Sequence, residues 1–144
     1  MPKQKLIILD GHALFHRAWH ALPQNMKDAQ GRLTGAVFGF TASLLKAWRD
    51  LKPDYITVCF DSAGPTFRDK MYERYKAGRV KKPAEFYNQL PLIKQMLMAF
   101  NIPIYEQAGL EADDLIGAIA RQAVKNKNLE VIIVTGDLDA LQLI

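Results

Sequence analysis

KLIILD, residues 5–10, sets four consecutive apolar residues directly before an aspartate. A short run with no polar alternation reads as a strand buried on both faces, with Asp10 at its carboxyl end. The pattern recurs. YITVCFD (55–61) is a second strand ending on Asp61, and LEVIIVTGD (129–137) is a fourth, ending on Asp137 with Asp139 close behind. IPIYEQ (102–107) is a shorter third candidate, followed within a few residues by Glu111, Asp113 and Asp114.

Helical periodicity fills the gaps between these runs. In residues 35–51, Val37, Phe40, Leu44, Leu45 and Trp48 recur at helical spacing. Residues 84–101 repeat the pattern with Leu92, Ile93, Met96, Leu97 and Phe100 as the core face, and Pro91 is expected to break or kink its early part. Residues 110–126 give another helix, with Ala112, Ile116, Ile119 and Ala123 facing inward. Strands alternating with helices predict an α/β domain whose mainly parallel sheet is covered on both faces. After the fourth strand only LDALQLI follows, about one helical turn. A doubly wound sheet is expected to continue, so the sequence reads as the N-terminal part of a larger domain, truncated at its C-terminus.

The 144 residues suit one domain, and 49% hydrophobic with 24% charged content points to a globular chain rather than a disordered one. No run approaches the ~18 apolar residues of a membrane span, and the N-terminus carries no signal-peptide pattern. A lone cysteine, Cys59, excludes an internal disulfide and a cysteine-rich zinc site; within YITVCF it reads as a buried small hydrophobe. A cytoplasmic protein, with no membrane partner, is expected. Charge is unevenly spread. Residues 67–82 hold Arg68, Lys70, Arg74, Lys76, Arg79, Lys81 and Lys82 against Asp69 and Glu73, a net +5 in a chain of net +4, which leaves −1 elsewhere. A basic patch on a near-neutral body is the footprint of a polyanion binder, although short basic runs also serve as solvated surface.

Two readings compete for Glu111, Asp113 and Asp114. Acids in a first helical turn cap its free N–H groups and sit well in the positive end of its dipole. The alternative is metal. Ligands of open parallel sheets bind beyond the carboxyl ends of the strands. Asp10, Asp61, Glu111, Asp113, Asp114, Asp137 and Asp139 all fall there. Converging carboxylates repel one another, and a hard divalent cation such as Mg²⁺ relieves that repulsion. Two such ions ~3.5–4 Å apart can serve phosphodiester hydrolysis. Other chemistries find no motif: no phosphate-binding glycine loop follows the first strand, and no serine sits in a nucleophile elbow. His12, His16 and His20, four apart, would form one stripe on a helix, where packing or phosphate contact is favoured over zinc.

LDGHALFHRAWHA, FDSAGPTFRDKMYERYKAGR, GLEADDLIG and TGDLDALQL, taken together and in this order, resemble the motifs of the 5′-nuclease family over essentially the whole chain. The similarity is closest to the N-terminal 5′→3′ exonuclease domains of the bacterial DNA polymerase I type. It implies a PIN-like, resolvase-like three-layer fold. It implies metal-dependent hydrolysis of DNA, and of RNA–DNA primers, from 5′ ends and at 5′ flaps, with two Mg²⁺ or Mn²⁺ ions in the complete domain. The seven acids above match the family's metal-site acids. Lys76 and Arg79 match residues that engage the scissile phosphate, and Arg17 and Arg68 match further basic positions near the substrate strand. Lys70, Arg74, Lys81 and Lys82 belong to the region that corresponds to an arch over a 5′ single strand, where Phe67, Tyr72 and Tyr75 could stack on bases. Three departures stand out. Leu138 lies where the family often has a base, and His12 where a small polar residue is common. The family's final aspartate pair and helix–turn–helix-like DNA clamp are not in these residues. A polymerase module is an expected neighbour in the full-length protein. The competing functions are a PIN-type endoribonuclease and a catalytically silent fragment that binds nucleic acid.

Overall fold

The computed structural model describes residues 1–64, 67–71 and 82–136. Along the chain it forms β1 (Gln4–Asp10), α1 (Gly11–Ala21), α2 (Gly35–Leu51), β2 (Tyr55–Cys59), α3 (Phe67–Met71), α4 (Ala84–Tyr87), α5 (Leu90–Ala99), β3 (Ile104–Tyr105), α6 (Ala112–Ala123) and β4 (Leu129–Val134). Four strands make one sheet in the order β3-β2-β1-β4, and every pairing is parallel. The order reverses at β1, because the chain moves to β2 on one side and returns to β4 on the other. The crevice beyond the carboxyl ends of β1 and β4 is therefore the switch point where such sheets take ligands.

Both faces of the sheet are covered, as the unbroken apolar strands require. Ile7 and Leu9 of β1 face a core built with Phe15, Phe40, Leu44, Phe60, Ile93 and Leu97, which brings α1, α2 and α5 onto one side. Ile8 and Cys59 face the other side, against Ala112, Ile116 and Ala120 of α6. That alternation is the period of two of an extended chain, and it makes a three-layer α/β/α sandwich. Phe15, Phe40, Phe60 and Phe86 are fully buried, each contributing on the order of 2–3 kcal/mol. Phe86 stacks on Phe15 at 4.2 Å and meets Trp19 edge-on at 5.4 Å, which docks α4 onto α1. Among the described residues no helix is long and apolar enough to cross a membrane.

Several expectations need correction. β2, β3 and β4 are shorter than the apolar runs suggest, β3 above all, whereas β1 starts one residue earlier, at Gln4. The helix expected over 84–101 is two, α4 and α5, separated at Asn88–Gln89. Pro91 occupies the first turn of α5, where its missing N–H costs nothing. Leu45, Trp48 and Phe100 keep the helical spacing of the core but are exposed; Trp48 and Phe100 meet each other edge-on at 6.3 Å at the outer ends of α2 and α5. Residues 11–21, read only as a possible histidine stripe, form a full helix whose Leu14, Phe15, Ala18 and Trp19 are buried.

Candidate functional site at the carboxyl edge of the sheet

Asp10 ends β1 and is 3% exposed. It is the N-cap of α1: its Oδ1 accepts the Ala13 N–H at 3.0 Å, while Thr135 Oγ1, just past β4, donates to Oδ2 at 3.1 Å. Burial pushes its pKa up; the Ala13 and Thr135 hydrogen bonds oppose this, and the Asp61 charge adds to the rise. The two strand-end aspartates thus share one electrostatic environment.

Asp61 lies two residues beyond β2. Its main-chain N–H donates to His12 Nδ1 at 2.9 Å, and its Oδ1 accepts the Ala112 N–H at 2.7 Å, at the first turn of α6. The neighbouring chain is tied the same way. The Ser62 hydroxyl donates to the Leu110 carbonyl at 3.3 Å, and the Phe67 N–H donates to the Gly109 carbonyl at 3.0 Å. Gly109 has φ +84°, a left-handed turn that glycine adopts freely, directly before the acidic helix start. The loop after β2 and the loop before α6 therefore run side by side.

Glu111, 5% exposed, is the N-cap of α6 and forms a reciprocal capping box with Asp114. Asp114 Oδ2 accepts the Glu111 N–H at 2.9 Å. Asp113 sits between them in the first turn. The capping reading of these acids is thus realised in full for Glu111 and Asp114, at the same edge that the metal reading demands. Among the described residues no three His, Cys, Asp or Glu side chains stand in metal-holding geometry. The donor set nonetheless suits a hard cation. It is all carboxylate oxygen, the Asp10 pKa is raised by burial and further by the Asp61 charge, and the adjacent imidazole Nδ1 is already an acceptor for a main-chain N–H.

Of the remaining expected residues, Arg17 is exposed on α1, its Cδ 3.9 Å from where a Cβ on Gly136 would stand, beside the end of β4. Lys70 is exposed on α3, and Lys82 places Nζ 2.9 Å from His20 Nε2. Arg74, Lys76, Arg79, Lys81, Asp137 and Asp139 lie outside the described residues, as do Tyr72, Tyr75, Leu138 and the side chain of Arg68. The His12 and His16 rings stand 6.3 Å apart, but the three histidines have different partners. His12 holds Asp61, the His16 ring stands 4.8 Å from Phe86, and His20 meets Lys82. A cleft of about 520 Å³ between the 27–33 turn and α4–α5, with Lys27, Arg32 and Glu85 on its walls, contains none of the acids of the sheet edge.

Sequence reasoning missed Thr135 and the specific contact of His12. Thr135 precedes Gly136 at the end of β4, which pairs with β1 through Leu9 and Val134. A strand-end hydroxyl beside a strand-end acid was the available signal.

The sequence profile of the 5′-3′ exonuclease, N-terminal resolvase-like domain, matches residues 5–144. The chain is 51% identical over 140 residues to DNA polymerase I of Chloroflexus aurantiacus, covering 96% of this chain and 15% of that protein. DNA polymerase I of Mycobacterium leprae is 46% identical over 143 residues, with 99% and 16% covered. The chain therefore spans about a sixth of the length of these relatives. Among solved structures, the bacteriophage T5 5′-exonuclease with bound zinc ions superposes with TM-score 0.74 at 19% identity, covering 98% of this chain and 52% of that one. A bacteriophage T5 flap endonuclease in a pseudo-enzyme–product complex with DNA and metal ions gives TM-score 0.70 at 19% identity, with 95% and 50% covered.

Proposed function

The chain belongs to the family of the 5′-3′ exonuclease N-terminal resolvase-like domain, and from that premise we propose that it is the N-terminal part of a 5′-nuclease catalytic domain. The proposed reaction is divalent-metal-dependent hydrolysis of DNA, and of RNA primers, from 5′ ends and at 5′ flaps. A polymerase module in the full-length protein is part of the same proposal, supported by relatives that are DNA polymerase I. The observation that carries the reading is the meeting of Asp10, Asp61 and the acidic start of α6 at the sheet's switch point.

The ligand set would draw on Asp10, Asp61, Glu111, Asp113 and Asp114, with Asp137 and Asp139 following β4. Mg²⁺ or Mn²⁺ is the proposed ion. Bound there, it would supply Lewis-acid charge that eases deprotonation of a water and offsets the charge of the phosphate. The chain's own residues do the rest. The Ala13 and Thr135 donors hold the Asp10 carboxylate, and the Ala112 N–H holds that of Asp61, so the acids are aimed before substrate arrives. Lys76 and Arg79 are proposed to hold the scissile phosphate. Arg17, Arg68, Lys70, Arg74, Lys81 and Lys82 would bind the phosphates of the 5′ strand without regard to base. Water adds across a phosphodiester P–O bond, and the departing oxygen takes up a proton.

Incubation with 5′-flap DNA and with single-stranded RNA, in Mg²⁺ or Mn²⁺, tests this against an Asp113→Ala control. Asp113 is outside the capping box, so its loss spares the Glu111–Asp114 contacts. Flap cleavage by the parent alone is expected. Preferential cleavage of RNA would favour a PIN-type endoribonuclease, and DNA binding without product a silent binding fragment.

A further inference from the structure

We propose that His12 is a positioning residue: by accepting the Asp61 main-chain N–H, it sets the place of the Asp61 carboxylate and, through it, the affinity of the site for a divalent cation. The affinity part rests on the metal reading above. Sheet pairing of β2 with β1 ends at Cys59 opposite Asp10, and the last ladder-like bond on the other side runs from the Phe60 N–H to the Tyr105 carbonyl at 2.9 Å. The Asp61 N–H is the first donor beyond the ladder, and His12 Nδ1 takes it at 2.9 Å. An accepting Nδ1 bears no proton, so the neutral ring carries its hydrogen on Nε2.

The ring is well placed to act as a fixed stop. Its edge meets Phe60 at 5.6 Å and 77°, and Phe60 is fully buried. His12 also sits in the first turn of α1, the turn that Asp10 caps. One helical turn thus orients Asp10 directly and Asp61 through an imidazole. Asp61 is held at two points, its main chain by His12 and its carboxylate by the Ala112 N–H. Removing the first leaves a part-buried N–H that must turn toward water, and the carboxylate turns with it. The charged groups around the ring are Asp61, Asp10 and the Lys94–Glu106 ion pair.

The two polar isosteres of histidine separate this role from simple space-filling. Asparagine at position 12 offers an acceptor near the place of Nδ1, whereas glutamine offers one near Nε2. In the full chain, His12→Gln and His12→Ala should weaken Mn²⁺ binding by about tenfold or more, and His12→Asn by no more than about threefold. Both the Asn and Gln variants should still unfold cooperatively, His12→Gln at the lower temperature because it lacks the hydrogen bond. Asp61 amide hydrogen exchange, measured without metal, should accelerate in the Ala and Gln variants alone. Parent-like Mn²⁺ affinity in His12→Gln, or a loss in His12→Asn as large as in His12→Ala, overturns the proposal. Unchanged Asp61 exchange in His12→Ala overturns the hydrogen-bond step whatever the metal does. A parent chain that binds no Mn²⁺ overturns the metal reading and the affinity claim together, and leaves the exchange result to judge the contact alone.

Discussion

Asp10 serves α1 as a cap and the sheet edge as a buried acid, and the two duties conflict. Burial and Asp61 hold its pKa above the ordinary 3.8, so the folded chain binds this proton more tightly than the unfolded one. Its contribution to stability is therefore complete below pH 3.8 and is lost as pH rises through the folded value. Asp10→Asn keeps an acceptor for the Ala13 N–H without the charge. The metal-free variant should gain stability relative to the parent as pH rises toward neutrality, while Mg²⁺ should raise the melting temperature of the parent only. Calorimetry across pH checks both, and a pH-independent difference would sink the first claim. Cys59 is simpler. Burial, with Asp10 adding, pushes its thiol up to about 12, so thiolate is scarce at neutral pH. Iodoacetamide should label it only in denaturant, as read by mass spectrometry.

Helix starts in this fold are satisfied in two ways. α1 and α6 carry their own caps, in Asp10 and in the Glu111–Asp114 box. At α2 the cap position, Thr34, makes no side-chain bond. Instead Gln89, 2% exposed, reaches across from between α4 and α5. Its Oε1 accepts the Ala36 and Val37 N–H groups at 2.8 and 3.2 Å, and its Nε2 donates to the Glu85 carbonyl at 3.3 Å. Gln89→Met, similar in volume but without an acceptor, should cost about 1–3 kcal/mol. A lower urea midpoint at unchanged slope would report it. The contact of α1 with the residue after β2 is tight at Gly11, where a Cβ would stand 2.5 Å from the Phe60 ring. Gly11→Ala should lose about 1–3 kcal/mol through overpacking, in the same denaturation experiment. Parent-like stability would mean that the ring can move aside.

At the scale of the molecule, a near-neutral body carries one basic segment, and its flanks lie on α3 and at Lys82. If these bases bind phosphate, the logarithm of the affinity for flap DNA must fall linearly with log salt. Lys70→Ala and Lys82→Ala should then each lower the slope by about 0.7–0.9, measured by fluorescence anisotropy. Unchanged slopes would make both lysines solvated surface. The sequence by itself determined the sheet, its two covered faces and the places of Asp10 and Asp61 at the strand ends. An unbroken apolar strand can be stable only between two layers, and a residue that ends a parallel strand can lie only at the carboxyl edge. Periodicity also marked the inner faces of α2, α5 and α6. It could not say how far a neighbour covers that face, which is why Trp48 and Phe100 share the spacing of Phe40 and Ile93 but not their burial. Only the tertiary structure decided which atoms hold the acids. His12 meets an N–H 49 residues away, Gln89 caps a helix 53 residues away, and Thr135 reaches an aspartate 125 residues away. Such partners leave no local pattern, because a hydrogen bond depends on distance in space, and folding alone sets that distance.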